Sequence, residues 1–115
     1  MHNFRQLNIW KDARPLVKQV YVLTSSFPME EKFGLVSQIN RSAISVPSNI
    51  AEGSARGTDK DFCQFLRISL GSLYELETQL LLAVDLGFAS ESNDIFDKIV
   101  HLQKMMVAFI KTLQK

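Results

Sequence analysis

The sequence predicts an all-α fold, an antiparallel up-and-down four-helix bundle. Two observations carry that expectation. Apolar residues recur at steps of three and four through four separate stretches, and short turns rich in glycine, proline and serine stand between those stretches. At 115 residues the chain fits one domain, residues 1–115, and a hydrophobic content of 46% is enough for one ordinary core.

Helix one is expected over about Asn8 to Ser25, with Ile9, Ala13, Leu16, Val20 and Leu23 on its apolar stripe. Asn8 is a candidate N-cap. Pro15 lies too deep for a first turn starting there, so either the helix kinks or it begins later with Asp12 as cap. Phe27-Pro28 ends it, because a residue before proline is steered away from helical angles.

Helix two is expected to begin near Met29 to Glu31, where acidic residues suit the helix dipole, and to run to about Glu52. Its apolar stripe is Val36, Ile39, Ala43, Val46 and Ile50. Gln38, Arg41, Ser45, Ser48 and Glu52 lie on roughly the opposite side. Pro47 interrupts the ladder and leaves two readings, a kinked helix or two shorter ones, with Ser45 and Ser48 placed to satisfy freed backbone groups. Gly53 to Gly57 supplies the next turn.

Helix three starts at Thr58, an N-cap followed by Asp59 and Asp61. Its seam is Phe62, Leu66, Ser69, Leu73, Leu76, Leu80 and Ala83, and Gly87 stops it. Phe65, Ile68, Leu70, Tyr74, Leu81, Leu82 and Val84 fall outside the seam. A helix apolar nearly all round is covered on several sides, which points to a partner chain. Helix four follows Ser90 or Ser92 as cap, with Ile95, Ile99, Leu102, Met106, Phe109 and Leu113 as its seam and Lys104, Lys111 and Lys115 opposite.

The single cysteine, Cys63, rules out an internal disulfide and reads as a packing residue. Met1 to Ile9 lacks a signal-peptide run and no stretch is long and apolar enough to span a membrane, so a cytoplasmic protein without a membrane partner is expected. A formal net charge of +1 hides a bias along the chain: residues 1–28 carry +3, 29–57 zero, 58–88 −3 and 89–115 +1. Positive charge therefore concentrates on helices one and four.

Catalytic chemistry finds little footing, and no enzyme and no cofactor are expected. A di-iron bundle needs Glu-x-x-His pairs, yet His2 sits in an N-terminus expected to be loose and Lys98 stands three residues before His101. Glu75 and Glu77 point to different helix faces, so paired acid and base work finds no geometry within one helix; Glu52 and Glu75 meeting across helices is the remaining opening for a metal or hydrolytic site. Ser45, Ser48 and Ser72 read as close-packing residues. Gly53-Ser-Ala-Arg-Gly57 lacks the spacing and lysine of a phosphate loop. Arg41, Glu52, Glu75 and Gln79 form a polar set with two readings: the lining of a ligand site or axial channel, or a buried network that fixes helix register or subunit pairing. Arg5, Lys11, Arg14 and Lys18, with Lys104, Lys111 and Lys115, are candidates for phosphate contact.

Ser37-Gln38-Ile39, the run Arg41-Ser-Ala-Ile-Ser-Val-Pro-Ser-Asn-Ile-Ala-Glu-Gly53, Gly71-Ser72-Leu73 and Glu75-Leu-Glu-Thr-Gln79 closely resemble the bacterial family of 23S rRNA intervening-sequence proteins. Leu7 to Lys11, Tyr21 to Pro28 and Asp85-Leu86-Gly87-Phe88 also fit, so the resemblance covers roughly residues 4–88. Asn40 and Ser69 depart from it, standing where arginine and alanine are common. The resemblance implies a four-helix bundle assembled as a homopentameric ring, without established catalytic residues, and similar to the nucleic-acid-binding accessory protein of diversity-generating retroelements. It carries over Arg41, Asn49, Glu52, Gly71, Ser72, Glu75 and Gln79 as marks of membership with a role in assembly. The functional expectation is a non-enzymatic oligomer that binds RNA or DNA through helices one and four; the alternative is a scaffold ring that recruits a protein partner.

Overall fold

Each periodic stretch closes its own hydrogen-bond ladder, and the computed structural model, which describes residues 1–115, contains four α-helices and no strand. They are α1 (Asn8–Thr24), α2 (Leu35–Ser54), α3 (Asp59–Asp85) and α4 (Ile95–Leu113). Single 3₁₀ turns, Phe4–Gln6 and Met29–Glu31, precede α1 and α2. At a rise of about 1.5 Å per residue the 27 residues of α3 span about 40 Å, close to the 44 Å long axis of the bundle. The other helices have 17, 20 and 19 residues and leave parts of this spine uncovered.

The four apolar stripes meet in one core of 21 buried residues. Every member of the expected α3 seam is buried, and so are Ile9, Ala13, Leu16 and Val20 of α1 and Ile39, Ala43, Val46 and Ile50 of α2. Leu23, Val36, Phe109 and Leu113 are half-buried at the margins, and Ile110 takes the buried position at the end of α4. Cys63 packs in the core as a free thiol.

Pro15 and Pro47 lie inside uninterrupted helices, so α1 does not wait for Asp12 and α2 does not split. Pro15 is exposed, so water can serve the carbonyl whose ladder partner it removes. Beside Pro47, Val46 O accepts a 2.8 Å hydrogen bond from the buried Ser69 hydroxyl of α3.

The helix starts differ from the sequence reading in three places. Asn8 is already helical; the cap position belongs to Leu7, which has no side-chain acceptor, and the preceding 3₁₀ turn leads the chain in. α2 begins at Leu35, after the Met29–Glu31 turn and Gly34. The acid still works there, because Glu31 Oε2 accepts from Leu35 N–H at 3.4 Å. Ser90 and Ser92 bond to each other in the loop, and Asn93 Oδ1 accepts from Ile95 N–H at 2.9 Å, so Asn93 performs the capping. α3 behaves as expected at both ends. Thr58 Oγ1 accepts from Asp61 N–H at 3.1 Å, and Gly87, at φ +82°, closes a Schellman turn with Phe88 N–H on Ala83 O and Gly87 N–H on Val84 O.

Two further expectations are corrected. Gly53 belongs to α2, buried against α3, where a Cβ would stand 2.5 Å from Phe65 Cβ and 2.9 Å from Phe62 Cδ1. The missing side chain lets the two helices approach. The N-terminus is tied down: His2 N–H donates to Ser54 O at 2.9 Å, its Nε2 lies 3.1 Å from Asp59 Oδ1, and its ring packs 4.9 Å from Phe62.

Candidate assembly and nucleic-acid surfaces

α2 and α3 share the most extensive helix contact in the chain, and polar groups run along it. Ser42, Ser45, Asn49 and Gly53, at steps of three and four, place one stripe of α2 against Phe65, Ser69, Ser72 and Gln79 of α3. Ser42 Oγ lies 2.9 Å from Glu75 Oε1 and 3.0 Å from Gln79 Oε1. A hydroxyl has one hydrogen, so the two acceptors Glu75 Oε1 and Gln79 Oε1 compete for the same donor. Asn49 Nδ2 donates to Ser45 O and Ser45 Oγ, each at 2.8 Å, and Ser45 Oγ meets Ser72 Oγ at 2.8 Å. No buried side-chain nitrogen or oxygen lacks a partner.

The expected polar set is therefore divided. Asn49 and Ser72 are linked through Ser45, and Glu75 and Gln79 through Ser42. Arg41 is exposed without an ion pair, and Glu52 is exposed and pairs with Arg56 at 3.6 Å. Arg41 and Glu52 do not join Glu75 and Gln79 within one chain, and no group of three or more His, Cys, Asp or Glu side chains is placed to hold a metal ion. Ser48 is exposed, away from the packing stripe that the sequence reading gave it. That reading missed Ser42 and the packing role of Gly53. Their spacing from Ser45 and Asn49 was the available signal, one that points about a quarter-turn away from the stripe through Arg41 and Ser48.

On the outer side of α3, Ile68, Gly71, Glu75 and Leu82 fall on one stripe at steps of three, four and seven. Ile68 is 53% and Leu82 49% exposed, and a Cβ at Gly71 would meet nothing within 4 Å. One chain thus leaves this apolar stripe in water.

All seven candidate cations, Arg5, Lys11, Arg14, Lys18, Lys104, Lys111 and Lys115, are exposed, and none makes an ion pair. Arg14 stacks over Trp10, 5.6 Å from the ring centre. The α1 and α4 sets do not merge into one patch. The cleft between these helices, about 370 Å³, is lined by Asp12, Gln19, Asp97, Lys98 and His101, and its two carboxylates interrupt the positive surface. Across it, Gln19 donates to Asp94 at 2.7 Å and accepts from Lys98 at 2.9 Å. Lys104 and Lys111 instead border a groove against α3, about 340 Å³ in volume, with Tyr74 and no carboxylate in its lining.

No helix is long and apolar enough to cross a membrane. The profile of the 23S rRNA-intervening sequence protein family matches residues 5–108, which reaches through most of α4 and beyond the stretch where the sequence resemblance was legible. A crystal structure from Bacteroides thetaiotaomicron, of a protein described as of unknown function from the S23 ribosomal protein family, superposes with a TM-score of 0.80. The two share 21% identity, over 90% of this chain and 98% of that one, a likeness of fold. No curated protein matches.

Proposed function

The chain belongs to the 23S rRNA-intervening sequence protein family, and on that premise we propose a non-enzymatic, self-associating bundle that binds RNA or DNA through the outward cations of α1 and α4. The observation that carries this reading is that all seven cations stand in solvent with no acidic partner, so each keeps its charge available for phosphate. The contacts of Ser42 with Gln79, Ser45 with Ser72 and Gly53 with Phe65 favour α2 and α3 running in opposite directions, as in an antiparallel bundle.

The exposed stripe of Ile68, Gly71 and Leu82 supports self-association through α3, with the glycine leaving room for another helix to approach. A ring of five is the assembly that the family resemblance implies. It would repeat each basic face around one particle and strengthen a field that is weak for a chain of net charge +1.

The test is fluorescence anisotropy of nuclease-treated protein with labelled RNA and DNA across a salt series. Affinity is expected to fall steeply with salt, and Lys104→Glu with Lys111→Glu to weaken binding without changing the solution mass. Binding that is absent, or insensitive to salt and to both substitutions, refutes the proposal. A scaffold that recruits a protein is the second reading, favoured by the exposed Leu86 just past the end of α3, outside the self-association stripe. A specific protein recovered after nuclease treatment, with no nucleic-acid binding, would establish it in place of the first.

A further inference from the structure

The face shared by α1 and α2 joins aromatic and basic side chains in a way the opposite cleft does not. Tyr21 lines two neighbouring depressions of about 550 Å³ each. Arg14, Val17 and Lys18 flank it on one side; Lys32, Phe33, Asn40, Arg41 and Ile44 flank it on the other. Neither lining contains a carboxylate, whereas the α1–α4 cleft holds Asp12 and Asp97. Glu30 and Glu31 lie in the adjacent turn, where Glu31 is turned toward the Leu35 amide.

The two aromatic rings are unusually open. Phe33 is 89% and Tyr21 43% exposed, although an aromatic side chain normally gains by leaving water. Lys32 Nζ sits 5.4 Å from the Phe33 ring centre, leaving most of the ring available to a planar partner. A positive groove with sequence-tolerant π-faces along it is the chemistry that holds unpaired nucleotides, since every base has a face to stack and every linkage a phosphate to neutralise. A duplex offers the phosphates while keeping its bases stacked on one another.

We propose that the α1–α2 face is a track for single-stranded nucleic acid, with Tyr21 and Phe33 as stacking platforms and Arg14, Lys18, Lys32 and Arg41 as phosphate contacts. The track rests on the nucleic-acid reading above, keeps its α1 cations Arg14 and Lys18, and adds a strand state and two cations outside α1 and α4, Lys32 and Arg41.

The experiment is anisotropy with oligo-dT of about ten nucleotides, within the span that such sites cover, and with a duplex of the same length. Wild type is compared with Phe33→Ala, Tyr21→Ala, Tyr21→Phe and the pair Lys104→Glu/Lys111→Glu. Each alanine is expected to weaken oligo-dT binding roughly five- to a hundredfold and to leave duplex binding and solution mass unchanged, while Tyr21→Phe retains affinity. Ultraviolet cross-linking of oligo-dT to wild type, mapped by mass spectrometry, is expected to label Tyr21 or Phe33, which secures the result independently of any variant. Unchanged oligo-dT affinity in both alanine variants overturns the track, and binding lost in the lysine pair then leaves the proposed function standing. A fall in solution mass with Phe33→Ala also overturns it, because the ring then belongs to a contact between copies. No binding of either probe by wild type overturns both.

Discussion

Replacing Gly53 by alanine tests how closely α2 and α3 approach. Inside a helix the change should help, by about 0.5–1 kcal/mol, because alanine loses less backbone entropy. Here the new methyl would stand 2.5 Å from Phe65 Cβ and 2.9 Å from Phe62 Cδ1, against an ordinary carbon contact of about 3.5–4.0 Å. Phe62 can turn its ring, but Phe65 Cβ is fixed to the backbone, so the helices must part by about 1 Å where they pack most extensively. Overpacking of this kind costs about 1–3 kcal/mol; at about 2 kcal/mol, the middle of that range, it outweighs the propensity gain and leaves a net loss of about 1–1.5 kcal/mol. For a chain of 115 residues the melting temperature should fall by roughly 4–10 °C. Thermal and urea unfolding followed by circular dichroism measure it, with the urea midpoint falling at constant slope. Adding Phe65→Ala should not restore stability, because alanine keeps the offending Cβ. A Gly53→Ala protein that melts above wild type, or is rescued by Phe65→Ala, would refute the close approach.

Gly71→Ala makes the opposite case. With nothing within 4 Å of the new methyl, it should stabilise the isolated chain by about 0.5–1 kcal/mol while lowering the solution mass measured by light scattering, if another copy packs on the α3 stripe. An unchanged mass would remove Gly71 from the assembly surface. Ser42→Ala should cost about 1–3 kcal/mol in urea unfolding, because the buried Gln79 amide loses its partner; a cost below about 0.5 kcal/mol would show that Gln79 bonds elsewhere. Asn93→Ala should cost about 1 kcal/mol and speed amide exchange in the first turn of α4, whereas Ser90→Ala and Ser92→Ala should leave that turn intact.

Periodicity by itself settled the four helices, most of their buried faces and both ends of α3. Burial of a 3.6-residue stripe is a local property of the chain, and Thr58 and Gly87 act on backbone groups within a few residues of themselves. The sequence marked Arg41, Glu52, Glu75 and Gln79 as a polar set and the family resemblance added Asn49 and Ser72; of these Asn49, Ser72, Glu75 and Gln79 meet partners between α2 and α3, while Arg41 and Glu52 face solvent.

Only the tertiary structure decided which partners they take. Gly53 reads as a turn residue in isolation, and its place inside α2 depends on Phe65 lying across from it, 12 positions along the chain. His2 reads as a loose end until Ser54, Asp59 and Phe62 are brought beneath it. The cations of α1 and α4 read as one positive region, and the packing of those helices sets Asp12 and Asp97 between them while leaving Tyr21 among unopposed cations on the other side. Charge and spacing along one helix are fixed by its residues, whereas the neighbours across a groove are fixed by how helices rotate to bury their stripes, and that rotation is a property of the whole core.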